Sequence, residues 1–306
     1  MKTRFFKKTV MICLGLVAFM ANAQEDDQTK GDAPQSADEI AKALADPNTV
    51  LGTMNFNFDY VNYQGDLPDA GSQNSFTIGF QPVLPIPLNK TMNLFVRPQI
   101  PLTITQPTFG ANGFENKGVG LGNISADVAI GKTFPSKTVG VVGMFAAFRT
   151  ASDEALRSPY TLLGPEIAVG QIFDWGVLGL LLTHGWNVNK IDAPTAGNVS
   201  ILGNDVFLAA EAGESASITS GQYFYIVSAG NGWQITGTPT FSYNHKALKG
   251  NKLTLPIGAG VTKVSIFGKM PIKFNLQYWY YVASPDAFGP QHQIRLTVSP
   301  VVKLPW

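Results

Sequence analysis

The chain has a single cysteine among its 306 residues, Cys13, and it lies in an N-terminal stretch that the mature protein would not keep. Its loss removes disulfides, thiolate metal sites and thiol redox chemistry from what remains. Long apolar runs are missing too: no stretch reaches the roughly 18 residues of a membrane-crossing helix. Charge is sparse and balanced, 22 Lys and Arg against 21 Asp and Glu, which gives no basis for a nucleic-acid partner. No His, Asp and Glu cluster has metal-ligand spacing. Gly118, Gly120 and Gly122 form a GxGxG string, but alternating strand residues follow it where a phosphate loop needs a helix. The sequence therefore implies no cofactor and no metal.

What is present begins with a leader. Lys2, Arg4, Lys7 and Lys8 precede an apolar run over residues 10–20 and the small-x-small site Ala21-Asn22-Ala23, the pattern of a secretory signal cleaved near Ala23. Its removal takes the formal charge from +1 to about −3. Residues 24–35 are polar and acidic, too poor in apolar surface to fold alone, and read as a tether. Ser36-Ala37-Asp38-Glu39 then matches a capping box, Ile40, Ala41 and Leu44 share one helical face, and Pro47 stops the helix. The expected organisation is a signal peptide over 1–23, a periplasmic tether with a short helix over 24–48, and one domain over 49–306.

From residue 50 the period changes from helical to two. Met54, Phe56, Phe58 and Tyr60 alternate with Thr53, Asn55, Asn57 and Asp59, so one strand face is apolar and the other polar. The same alternation runs through about twelve segments, near 50–60, 74–88, 91–104, 119–134, 138–150, 160–173, 177–190, 220–229, 233–246, 252–264, 270–283 and 292–306. Each approaches or exceeds the roughly 9–11 residues of a tilted strand that crosses a bilayer. Short connections at 89–90, 135–137, 174–176, 230–232 and 265–269 alternate with mostly longer ones, above all 191–219. Short periplasmic turns and long outer loops are the rule for bacterial barrels.

The polar face decides between a membrane barrel and a soluble β-fold. Asp59, Arg97, Asp127, Arg149, Glu166, Lys273 and Arg295 fall on it, which suits a wet or salt-bridged lumen and not the core of a sandwich. Such charges would either form a selective constriction or neutralise one another in a narrow barrel. Aromatics including Tyr60, Trp175, Trp186, Trp233 and Tyr280 gather near strand ends, as girdles at a membrane interface do. The expected fold is an all-β, antiparallel transmembrane β-barrel of about twelve strands with a short N-terminal periplasmic helix, in the outer membrane of a Gram-negative bacterium.

Prolines break the pattern. Pro82, Pro85, Pro98 and Pro101 sit on the second and third strands, where each withholds an amide from the ladder. They mark a candidate lateral seam. The last strand ends on Trp306, with Ile294, Leu296 and Val298 outward and Gln293, Arg295, Thr297, Ser299 and Lys303 inward. A terminal aromatic on such a strand is a candidate signal for barrel-assembly machinery, which joins outer-membrane lipid and a small solute as expected partners. Oligomeric state is not specified.

Several segments carry a resemblance: QPVLPIPLNKTMNLFVRPQIPL (81–102), GVGLGNISADVAIGK (118–132), LLGPEIAVGQ (162–171), GNGWQITGTPTFSYNHKA (230–247) and LPIGAGVTKVSIFGKMPIKFNLQYWYY (255–281). In this order they resemble the outer-membrane family of transporters of the meta-pathway of phenol degradation, over residue 38 to the end. The resemblance implies uptake of aromatic or other small apolar compounds and brings no catalytic motif.

Three functions follow as expectations. The first is a channel for small, apolar or aromatic solutes. The second is a closed structural or surface-interaction barrel whose 191–219 loop meets a partner. The third is a rim hydrolase using His184, which parity turns towards lipid, or His245 or His292, with Ser242 and Ser284 nearby in sequence; no spacing fixes such a site, so the chain is not expected to be an enzyme.

Overall fold

The computed structural model describes residues 36–306, so the leader and the tether lie outside the described residues. Helix α1 (Ala37–Ala45) precedes β1 (Gly52–Gln64), β2 (Asn74–Asn89), β3 (Met92–Gly110), β4 (Gly113–Lys117), β5 (Gly120–Leu121), β6 (Ser125–Thr133), β7 (Thr138–Ala147), β8 (Leu162–Phe173) and β9 (Gly176–Asn187). There follow β10 (Thr195–Ile201), β11 (Asn204–Ala210), β12 (Ser217–Gly230), β13 (Trp233–Gly237), β14 (Thr240–Asn244), β15 (Leu253–Phe267), β16 (Met270–Ala283) and β17 (Gly289–Val302).

The wall is a closed, antiparallel ring. β1 pairs with both β2 and β17, the order runs through β3, β6, β7, β8 and β9, and β9 closes on β12. β13 and β14 are two halves of one wall strand, parted at Thr238-Pro239, where proline has no amide to offer. The ring thus has 12 strands. Closure leaves no sheet edge, the condition for a sheet in lipid.

Parity separates the two faces as the sequence suggests. Val128, Ile130, Val142, Met144, Ile167 and Val169 are exposed on the outside, while their neighbours Asp127, Ala129, Val141 and Glu166 are buried. Phe173 stacks on Trp175 at the end carrying the short turns, with ring centroids 4.9 Å apart. Several strand limits differ from expectation. The third strand runs on to Gly110 and folds back as β4; the strand expected from 119 starts only at Ser125; and β17 stops at Val302, which leaves Lys303 exposed beyond the wall.

Two internal segments enter the ring. At the mouth that carries the short turns, α1 starts from the capping box, with Glu39 N donating to Ser36 Oγ and Ser36 N donating to Glu39 Oε2. Its Ile40 and Ala41 are buried with Val264 and Val301 of the wall. Asp38 accepts from the amides of Asn231 and Gly232 at 2.9 and 2.6 Å. Those two residues form the β12–β13 turn with φ of 53° and 73°, the left-handed pair that a tight hairpin turn needs. The chain then crosses to the opposite wall, where Asn48 Nδ2 donates to the carbonyl of Thr91 and to Thr133 Oγ1. Residues 36–51 are therefore a strap across the mouth.

Asp38 is the strap's main polar anchor. Asp38→Ala should remove two charge-assisted bonds, about 1.5–3 kcal/mol each at most, and speed hydrogen exchange of residues 37–45 while the wall strands keep their protection.

Candidate functional site

The second internal segment is the hairpin β10–β11, paired from Thr195 with Ala210 to Ile201 with Asn204. It hangs between β9 and β12, and its inner face is apolar: Val199, Ile201, Leu208 and Ala210 are buried against Phe145, Ala147, Leu162 and Ile218. Burial of each larger side chain contributes about 1.5–3 kcal/mol. The second functional expectation sent this loop outward to a partner. In the structure it turns inward, because alternation within it gives it an apolar face that the wall above β7 and β8 can cover.

Its tip crosses to the far wall. Leu202 (φ 51°) and Gly203 (φ 79°) make a left-handed two-residue turn; Leu202 holds a conformation that a branched side chain rarely adopts. Arg295 Nη2 donates to the Gly203 carbonyl at 2.9 Å and to Asn204 Oδ1 at 3.0 Å. The same guanidinium binds Asp59 through both oxygens at 2.6 and 2.9 Å and lies over the Trp279 ring at 4.8 Å. Gln293 donates to Asp59, and Tyr281 donates to Gln293. Arg295 is only 5 % exposed, so Asp59 and the hairpin tip share one buried cation.

A second ion cluster faces it. Arg97 donates through Nε to Asp127 at 2.6 Å and through Nη2 to Glu166. Glu166 is three strands away, opposite Gly143 in the ladder. A Cβ on Gly143 would stand 2.5 Å from that of Ala129, so the glycine keeps the line from Arg97 to Glu166 free of a side chain. Lys273 faces the same interior. Arg149 does not join them: β7 ends at Ala147, parity lapses, and the exposed Arg149 donates to the carbonyl of Ser158 in an outer loop.

Between strap and hairpin lies a cavity of about 250 Å³. Leu44 of the strap and Leu202 of the hairpin line it, together with Arg97, Asp127, Lys273 and Arg295 and a set of Asn, Gln and Thr side chains. A smaller cavity of about 60 Å³, on the outer side of the hairpin tip, is lined by Asp59, Gln99, Asp205 and Tyr281. Sequence reasoning found the charges and the short helix at the mouth, and missed the hairpin that bounds the other end of the chamber. The hairpin was signalled by the alternation of Val199 and Ile201 around a turn ending in Gly203-Asn204.

The proline pattern resolves into one gap. β2 and β3 pair from Phe80 with Ile100 and again from Leu84 with Val96. The ladder is interrupted between them, where this register sets Pro82 opposite Pro98. Pro85 and Pro101 lie within the paired parts, opposite Phe95 and Gly79. Trp306 lies past the last strand, its indole donating to the Pro85 carbonyl at 2.7 Å.

The histidines sit on the outer surface near the long-loop end. Thr219 Oγ1 is 2.8 Å from His184 Nδ1 and 2.9 Å from His245 Nε2, and Ser217 Oγ is 3.3 Å from His184 Nε2. The described residues give neither imidazole a carboxylate partner to orient it, as a hydrolytic triad requires. Ser242, one of the serines near in sequence, is buried on the lumen face. His292 instead stacks on Tyr278, whose hydroxyl meets its Nδ1 at 2.7 Å. Among the described residues no cluster has the make-up of a metal site.

The sequence matches no protein-family model and no curated protein. Solved structures do resemble it. An outer membrane channel from Pseudomonas putida F1 superposes with a TM-score of 0.58 at 10 % identity, over 91 % of this chain and 100 % of that one. The toluene transporter TodX of Pseudomonas putida gives a TM-score of 0.42 at 10 % identity, over 85 % of this chain and 93 % of that one. The first of these shows that the chain has the fold of an outer-membrane β-barrel channel.

Asp205, on β11, faces the smaller cavity, and its carboxyl is pushed up from 3.8 to about 6, by desolvation first and by the charge of Asp59 second, against a hydrogen bond from Ser200. A carboxyl raised by docking favours the docked hairpin when it is protonated. Docking is therefore tightest below 3.8 and loosens as pH rises towards about 6. Amide protection in residues 195–210, corrected for intrinsic exchange, should fall between about pH 4 and 6, and Asp205→Asn should flatten that fall; protection that rises with pH would contradict it.

Proposed function

We propose that the protein is an outer-membrane channel for small solutes, gated from within by the strap on one side and the hairpin on the other. One observation carries the reading: a chamber in the centre of a closed ring is bounded at each end by a segment that does not belong to the ring. Each segment is tied to the wall by a few polar bonds and one apolar patch, the construction of elements that open locally. The fold shared with an outer membrane channel supports it, and so does the leader, which directs the chain out of the cytoplasm.

The solute has an apolar part in this proposal. Leu44, Val83, Leu181, Leu202 and Ile226 form patches of the chamber lining, and the resemblance to the transporters of the meta-pathway of phenol degradation points the same way; membership of that family belongs to this proposal. The interruption at Pro82 and Pro98 makes this part of the wall the natural seam for sideways release into the membrane, because neither proline offers an amide to re-form the ladder. Trp306 serves as the handle for the assembly machinery.

A barrel closed for a structural purpose is the competing reading, and the same two obstructions support it. Reconstitution separates the two. The wild type should show low conductance in a planar bilayer, and deletion of residues 24–47, or replacement of 195–210 by a short Gly/Ser linker, should raise it several-fold. No change in either variant, with no uptake by liposomes carrying the wild type, would leave only the closed barrel.

The seam has its own check. Cysteines in place of Pro82 and Pro98, cross-linked across the gap, should slow uptake of toluene into liposomes and leave ion conductance unchanged; undiminished toluene uptake would rule out the sideways route.

A further inference from the structure

The end of the chamber nearest the strap holds polar side chains that the wall leaves without partners. Lys273 stands opposite Ser299, and Asn55 stands opposite Gln81. The β1–β17 register, which pairs Thr53 with Val301 and Phe56 with Val298, sets Asn55 opposite Ser299. These four inward residues thus form one row across β16, β17, β1 and β2. Asn55 lines the chamber, whereas Ser299 is fully buried in the wall. Lys273 lines the chamber, and no ion pair among the described residues involves its ammonium. The other lumen charges differ sharply from it, since Arg97 and Arg295 are each committed to carboxylates.

Unpaired polar groups inside a protein are costly, and native structures hold few of them. Here a cation and a primary amide, Lys273 and Asn55, face one chamber whose remaining lining includes Leu44, Val83, Leu181 and Ile226. A volume of about 250 Å³ is below the ~300–1,000 Å³ of pockets for drug-sized ligands, so the occupant is small.

We propose that this row binds a small organic acid with an apolar body. The carboxylate accepts from the Lys273 ammonium and from Asn55 Nδ2, and the body of the acid lies on the aliphatic lining. A charged acid cannot pass directly through lipid, whereas its neutral counterpart can, which is reason for a channel to carry a cation at its centre. The site also has an exit. Val264 is opposite Lys273 in the β15–β16 ladder and packs on Ile40 and Ala41 of the strap, so displacement of α1 uncovers the row. The proposal rests on the channel reading and specifies its solute.

Binding and passage are measured separately. The probes are benzoate, benzyl alcohol and benzylamine, titrated calorimetrically into the detergent-solubilised protein and then tested for uptake into liposomes carrying it. Benzoate should bind tightest. Lys273→Met should weaken it roughly tenfold or more, the loss of a charge-assisted hydrogen bond, with little effect on benzyl alcohol, and Lys273→Arg should restore most of the affinity. Asn55→Ala should weaken benzoate by a smaller factor. Equal binding of the three probes, or benzoate binding indifferent to Lys273→Met in a variant that keeps the wild-type melting transition, would overturn the proposal. Benzoate that binds as expected but does not enter liposomes even after deletion of 24–47 would overturn the channel reading and leave the site standing.

Discussion

Everything in this molecule follows from the requirement that a sheet in lipid leave no backbone amide or carbonyl unpaired. The ring must close, and closure with antiparallel neighbours fixes strand parity all the way round. Parity in turn sends every second side chain into the lumen. The arginines placed there find carboxylate partners inside the ring. Arg97 takes two carboxylates across the gap that Gly143 leaves, and Arg295 takes Asp59 with both oxygens. Because Nη2 of the Arg295 guanidinium carries two N–H groups, it binds Asp59 and still reaches the hairpin tip.

The two obstructions are held by different physics. The strap is pinned at both ends by polar bonds, Asp38 on one side of the mouth and Asn48 on the other, with a small apolar patch between. The hairpin has a broad apolar face on one wall and a few polar contacts at its far tip. The left-handed backbone at Leu202 means that the tip is held in a conformation its own side chain disfavours. The hairpin can therefore release its tip without giving up its apolar footing.

The wall was legible in the sequence because its signal is local: a period of two, turn residues at its ends, and charges whose partners follow from parity. The capping box of α1 was legible for the same reason, since Ser36 and Glu39 are three residues apart. What could not be read was placement that depends on distant chain. The hairpin has the same alternation as the wall, and only the apolar surface of Phe145, Leu162 and Ile218 decides that it lies inside. Arg149 was misplaced because parity was carried two residues past the end of β7. The prolines needed a register: four positions look alike in sequence, and only the pairing of β2 with β3 singles out Pro82 and Pro98.

The strap's route across the mouth has a bearing on the order of folding. Its anchors lie on turns and strands from opposite sides of the ring, the β12–β13 turn and the ends of β3 and β6. Those surfaces stand at the correct separation only once β1 has met β17. The strap, although it precedes every wall strand in the chain, is thus among the last segments to find its place, and the free energy of seating it cannot help to pull the two end strands together.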